Sequence, residues 1–177
     1  MPTPAQAQPT PLAAPRPAAR LRREHLLLLA IVLLAAGLRL ARLDLIEFKA
    51  DEAVHLRLAA EVLESGRLPL VGSRTSFGFD KPPMMRLLLL PPLLLGRDPR
   101  LTSGWIALLN VAAVAGTFLL GRRFYSLRVA TVAALLYAAN PWAVVFSRKI
   151  FTADVLAPCL VLALYALHAA VAEGATW

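Results

Sequence analysis

The chain has 177 residues, 58% of them apolar, and a formal net charge of +8. That apolar share, gathered into long runs, excludes an ordinary soluble domain and is the composition a bilayer selects. The basic excess lies in loops and span ends, where it sets topology and meets anionic headgroups, so membrane lipids rather than nucleic acid are the expected partners.

Residues 1–20 are rich in Pro and Ala, lack periodicity, and read as a disordered tail before a module over 21–177. From Leu26 to Leu38 the chain is unbroken apolar sequence. Extended to Leu43, with Arg39 and Arg42 snorkelling to the interface, it predicts a first span over 26–43. A signal peptide flanked by Arg20, Arg22 and Arg23 is the rival reading, but no small-residue cleavage site follows.

The segment 44–100 reads as a long loop. Within it, Asp51 to Glu64 predicts an amphipathic helix, with Val54, Leu58 and Val62 on one stripe, Ala59 and Leu63 widening it, and Gly66 as its stop. That register leaves His55 exposed. Leu87 to Leu95 is apolar, too short to span and broken by Pro91-Pro92, and reads as an interfacial segment.

Beyond the loop, 101–120, 129–147 and 155–172 contain no Asp, Glu, Lys or Arg. As helices such runs cross about 27–30 Å of hydrocarbon, and helix is required because lipid satisfies no free backbone group. Pro141 and Pro158 predict kinks, and Asn110 and Asn140 are expected to bond across helices. His168 and Cys159 read as packing residues, and the single cysteine excludes an intrachain disulfide. The predicted fold is all-α: a polytopic membrane protein with about four transmembrane helices and an outer loop bearing an amphipathic helix.

Arg16, Arg20, Arg22 and Arg23 precede the first span against the single acid Glu24, and the connection holding Arg122, Arg123 and Arg128 has no acid. The positive-inside rule therefore puts the N-terminus in the cytoplasm and 44–100 outside. Asp51, Glu52, Asp80, Lys81, Arg148, Lys149 and Asp154 then share the outer side. Carboxylates and cations converging at a membrane surface suit a phosphate-bearing lipid substrate and a divalent cation. Ordinary roles stand beside these: helix capping for Asp51 and Asp154, a solvated pair for Asp80-Lys81, headgroup anchoring for Arg148 and Lys149. There is no Gly-rich phosphate loop, no His/Cys metal cluster and no Ser/His/Asp set.

The order Ala50-Asp51-Glu52-Ala53-Val54-His55, Phe79-Asp80-Lys81-Pro82-Pro83, Arg100-Leu101 and Asp154, within residues 24–172, resembles glycosyltransferase family 39. That GT-C-fold group includes the protein O-mannosyltransferases and the lipid A aminoarabinose transferases. The resemblance implies inverting transfer of a sugar from a polyprenyl-phosphate donor to an acceptor on the extracytoplasmic face of the cell membrane. Protein, lipid and glycan acceptors all fit. It casts Asp51 as the catalytic carboxylate with Glu52 beside it, and Lys81 as the group holding the lipid phosphate. Asp80 and Asp154 would order the site, and Asp51 with Asp154 would hold any Mg2+ or Mn2+. Arg148 and His55 join the substrate contacts. His55 stands where the family commonly has Tyr, and Val54 where some members carry a phosphate-binding Arg.

Family members run to several hundred residues, so the chain resembles an N-terminal fragment that is not expected to transfer sugar alone. A transporter subunit would instead place ionisable residues near the midplane of its spans. The three charge-free runs hold only His168, near an end. A non-catalytic adaptor would use the outer loop as a binding surface and would tolerate loss of Asp51.

Overall fold

A computed structural model describes residues 17–172 apart from Ile46 and Ser76, with side chains described from Leu21 to Val171. The expected tail thus lies outside the described residues up to residue 16, and Pro17 already opens a helix. The elements are α1 (Pro17–Leu40), a 3-10 turn (Leu43–Leu45), α2 (Ala50–Ser65), α3 (Met84–Leu88), α4 (Leu90–Leu95), α5 (Pro99–Phe124), α6 (Leu127–Ala139), α7 (Pro141–Phe146), a second 3-10 turn (Thr152–Val155) and α8 (Leu156–Ala172). Among the described residues the only β pairing is an isolated bridge between Arg74 and Asp80. The fold is all-α. Pro99–Phe124 and Thr152–Val171 are each long and apolar enough to cross a membrane.

α1, α5 and α6 form the body of the bundle around Ile31, Ala35, Val111, Val114, Phe118, Ala130, Ala134 and Ala138. Small residues set the spacing. A Cβ at Gly121 would lie 2.7 Å from the Cα of Ala130, so α5 and α6 touch backbone to backbone there. Nearby, Arg122 donates from Nε and Nη2 to the two carboxylate oxygens of Glu24, at 2.9 Å each, fastening α5 to α1.

At the opposite end, Ala59, Met85, Leu89, Leu93, Ile106, Ile150 and Val155 form a second cluster that seats α2, α3 and α4 on the start of α5. Pro91 and Pro92 begin α4 rather than breaking a helix, because a first turn needs no N–H from them.

Four expectations for the spans are corrected. Arg39 does not snorkel: it is 0% exposed, donating from Nη1 to the Ala138 carbonyl at 2.9 Å and from Nη2 to the Tyr137 carbonyl at 3.0 Å. The segment 129–147 is two helices, α6 and α7, not one. Both facts have one cause. Pro141 has no N–H for the carbonyl of Tyr137 four residues earlier, so α6 stops and Arg39 takes the freed oxygens. Asn140 accordingly caps α7, accepting from the Ala143 N–H at 3.1 Å, instead of bonding across helices. Pro158 falls in the first turn of α8, where no kink is required.

Asn110 does bridge helices. Its Nδ2 donates to the carbonyls of Ile106 (3.0 Å) and Asp154 (2.9 Å), and its Oδ1 accepts from the Tyr137 hydroxyl at 3.0 Å. A polar chain therefore runs from α1 through α6 and α5 to the turn before α8.

Candidate functional site

α2 carries the first part of the site. Its buried face is Glu52, His55, Ala59 and Val62, while Val54 and Leu63 are exposed. This is the spacing of one helix face, rotated from the aliphatic stripe, because α3, α4 and Phe151 cover that side. Asp51 stays exposed at the helix start. Glu52 turns inward, and its carboxylate accepts the Lys49 N–H at 3.0 Å, a helix-capping bond.

The second part is a tight hairpin. Gly72 donates to the Lys81 carbonyl at 2.6 Å, Lys81 to the Ser73 carbonyl at 3.0 Å, and Thr75 to the Phe79 carbonyl at 2.7 Å. A Cβ at Gly72 would run into the Pro82 carbonyl oxygen, so only glycine lets the two arms approach this closely. The hairpin aims Lys81 inward, its Nζ 5.1 Å from the centre of the Phe151 ring. Asp80, its neighbour, stays exposed beside Arg74.

The linker between α7 and α8 supplies the third part. Phe151 meets the His55 ring edge-on at 5.9 Å. Asp154 is only 6% exposed, and its Oδ2 has no hydrogen-bond partner. Arg148 faces elsewhere: its Nη2 donates to the Ala41 carbonyl at 2.7 Å and to that of Arg42, closing the end of α1. Lys149 stands 3.9 Å from Glu47 at the rim.

These parts border a cavity of about 280 Å³ lined by Asp51, His55, Ser73, Arg74, Lys81 and Phe151, with Val54, Thr75 and Phe77 completing it. Asp51, His55 and Lys81 are thus brought together, whereas Glu52, Asp80, Arg148 and Asp154 are not among its lining. Arg74 and Phe151 escaped the sequence reading, since a lone loop Arg and a Phe beside a span end carry no local signature. A larger cavity of about 640 Å³ between α5 and α8, lined by Gly116, Leu119, Arg122 and Val161 among others, holds none of the candidate residues.

His55 is 5% exposed, not the solvated residue its register suggested. Burial pushes its pKa down, and the Lys81 charge pushes the same way; Asp51 and Glu52 partly oppose this, and Arg86 adds to the lowering. The imidazole is therefore neutral at physiological pH. Among the described residues no group of three or more His, Cys, Asp or Glu is placed to hold a metal ion. What the cavity offers is a carboxylate, a neutral imidazole and an ammonium side by side, with Arg74 at its wall.

Residues 80–177 match a family model described as dolichyl-phosphate-mannose-protein mannosyltransferase. Lys81, Arg148 and Asp154 lie inside the matched stretch, and Asp51 and His55 precede it. No curated protein and no solved structure matches the chain.

Proposed function

The chain belongs to the dolichyl-phosphate-mannose-protein mannosyltransferase family, and from that premise we propose that it transfers a sugar from a polyprenyl-phosphate donor to an acceptor hydroxyl, with inversion. The observation that carries this reading is the shared cavity of Asp51, His55 and Lys81. Attack by a hydroxyl on the anomeric carbon needs negative charge where the proton leaves and positive charge where the phosphate departs. Asp51 supplies the first as the catalytic carboxylate, and Lys81, with Arg74 beside it, supplies the second. Asp154, buried and short of a partner, orders the linker behind them.

In this reading the cavity end faces the extracytoplasmic side of the cell membrane and the Arg122–Arg128 connection faces the cytoplasm, so that the lipid phosphate enters at headgroup level. The chain threads the membrane several times, with the α6–α7 pair forming one crossing.

The test uses the full-length product of the locus in membranes supplied with radiolabelled polyprenyl-phosphate sugars. Donor consumption is compared for the native protein and Asp51→Asn at matched expression. Loss of turnover by at least about 100-fold is expected from removing a group that acts on the transferred proton. Unchanged turnover in Asp51→Asn would remove Asp51 from the chemistry and leave it a helix-start residue. Absence of turnover with every donor, from well-folded native protein, would favour the non-catalytic adaptor.

A further inference from the structure

The larger cavity lies toward the end of the bundle opposite Asp51 and Lys81, between two helices long and apolar enough to cross a membrane. α5 and α8 meet at two levels along it. A Cβ at Gly116 would stand 2.8 Å from Val161 Cγ1, so α8 packs close against α5 there. Toward the helix ends Phe124 meets the rings of Tyr165 at 5.9 Å and His168 at 5.1 Å, and the Tyr125 hydroxyl lies 3.1 Å from His168 Nε2. The helices leave about 640 Å³ beside these contacts, within the range of about 300–1,000 Å³ that takes a small ligand. Its walls change character along the span. Leu119, Val161 and Leu162 are apolar, whereas Arg122 and Arg123 follow one turn after Leu119. Glu24 is the acid in the wall, and the two 2.9 Å bonds from Arg122 match its charge. Arg123 and Arg128 are exposed at this end, and Arg22 and Arg23 are exposed just before Glu24 on α1. An apolar groove therefore opens onto an excess of positive charge.

We propose that this groove holds an anionic phospholipid, with its phosphate on Arg122 and Arg123 and an acyl chain along Leu119, Val161 and Leu162. The occupant's own polarity then follows the walls, apolar within the span and anionic at its end. Basic pockets between transmembrane helices take acidic headgroups on the same grounds. A guanidinium also suits phosphate by shape, since its N–H groups form a planar fork. In Arg122 the Nε and Nη2 edge is given to Glu24, which fixes the plane of the guanidinium at the cavity wall. A zwitterionic lipid would bring an ammonium to the same arginines, against their charge. A soluble anion would match the arginines but leave the exposed Leu119 and Leu162 uncovered. Seated there, the lipid fills the space between α5 and α8 and ties the two helices together at headgroup level. The site stands at the other end of the bundle from the Asp51 cavity and does not rest on the transferase reading.

The experiment uses the full-length product of the locus, purified in dodecyl maltoside. Binding is followed by native mass spectrometry and by thermal unfolding on adding dioleoyl phosphatidylglycerol, dioleoyl phosphatidylcholine or inorganic phosphate. Phosphatidylglycerol should raise the unfolding temperature and bind about 5- to 30-fold more tightly than phosphatidylcholine, the weight of one or two basic residues at an acidic headgroup. Added salt should narrow that difference. Arg123→Gln should weaken phosphatidylglycerol about 5-fold. Arg97→Gln, at the opposite end in an exposed pair with Glu64, should leave it unchanged. Leu119→Trp fills the groove from its half-exposed wall and should weaken both lipids. Equal affinity for the two lipids, or no difference between Arg123→Gln and Arg97→Gln, overturns the proposal. Native affinity in a folded Leu119→Trp does the same. If that variant does not fold, the comparison of Arg123→Gln with Arg97→Gln decides. Stabilisation by inorganic phosphate equal to that by phosphatidylglycerol assigns the arginines to a free anion and overturns the lipid. Absence of bound lipid on the native protein means that protein covers the groove, and overturns it as well. None of these outcomes bears on sugar transfer, which donor turnover tests separately.

Discussion

Replacing Asn110 with Leu tests whether the polar chain through the bundle holds the site in place. The substitution keeps side-chain size but removes two bonds between elements, to the Asp154 carbonyl at 2.9 Å and from the Tyr137 hydroxyl at 3.0 Å. Interhelical hydrogen bonds in membrane bundles average about 0.6 kcal/mol and reach about 1.7. Two of them, with Asn110 only 3% exposed, give an expected loss of about 1–3 kcal/mol. The assay is unfolding of the full-length protein by SDS in mixed micelles, followed through tryptophan fluorescence. Trp105 is a suitable reporter, because its Nε1 donates to the Leu88 carbonyl at 3.0 Å where α5 meets α3. A double-mutant cycle with Tyr137→Phe isolates the hydroxyl–amide bond, and its coupling energy should be about 0.5–1.5 kcal/mol. A loss below about 0.3 kcal/mol for Asn110→Leu, with no coupling to Tyr137→Phe, would refute the bridging role, since independent sites add within that error.

Arg39→Ala should destabilise the bundle by about 2–4 kcal/mol in the same assay, because it leaves a void in the core and strips the carbonyls of Tyr137 and Ala138 of their donor. Gly121→Ala should cost about 1–3 kcal/mol, since its Cβ would press on the backbone of Ala130; Gly37→Ala, with nothing within 4 Å, should be neutral or stabilising by up to about 1 kcal/mol. The lowered pKa of His55 makes stability depend on pH in a definite direction. The unfolded ring binds a proton near 6.5 and the folded ring only at lower pH, so the contribution is complete above 6.5 and is lost as pH falls below it. Unfolding curves at pH 7 and pH 5 should therefore differ more for the native protein than for His55→Gln.

Charge-free apolar runs made α5 and α8 legible, since lipid leaves such segments one secondary structure. The interruption at Asn140-Pro141 was visible as a proline but not as a helix end, because the donor for the carbonyls it frees, Tyr137 and Ala138, is Arg39, 98 and 99 positions before them. The same distance hid the burial of Arg39, whose acceptors exist only once α6 ends. For α2, the aliphatic stripe marked the buried face only in part: Ala59 and Val62 are buried, but Val54 and Leu63 are exposed and Glu52 and His55 turn inward. The cover that decides the register comes from α3, α4 and Phe151, all remote in sequence. Of the site, Asp51, His55 and Lys81 were recognisable as chemistry-bearing types in order. Their gathering at one end was expected; which of them share a cavity was not, since that depends on the close approach of the hairpin arms at Gly72 and on the linker that delivers Phe151.

The buried guanidinium of Arg39 also has a consequence for how the protein is made. Its acceptors lie 98 and 99 residues later in the chain. At synthesis rates of about 5–20 residues per second, α1 leaves the ribosome roughly 5–20 seconds before α6 does. Throughout that interval its charge, in the last turn of α1, has no carbonyl of α6 to bind. The end of the first helix therefore depends for its settled packing on a segment not yet translated. The end of α1 is closed only when α6 arrives to meet it, not when α1 itself forms.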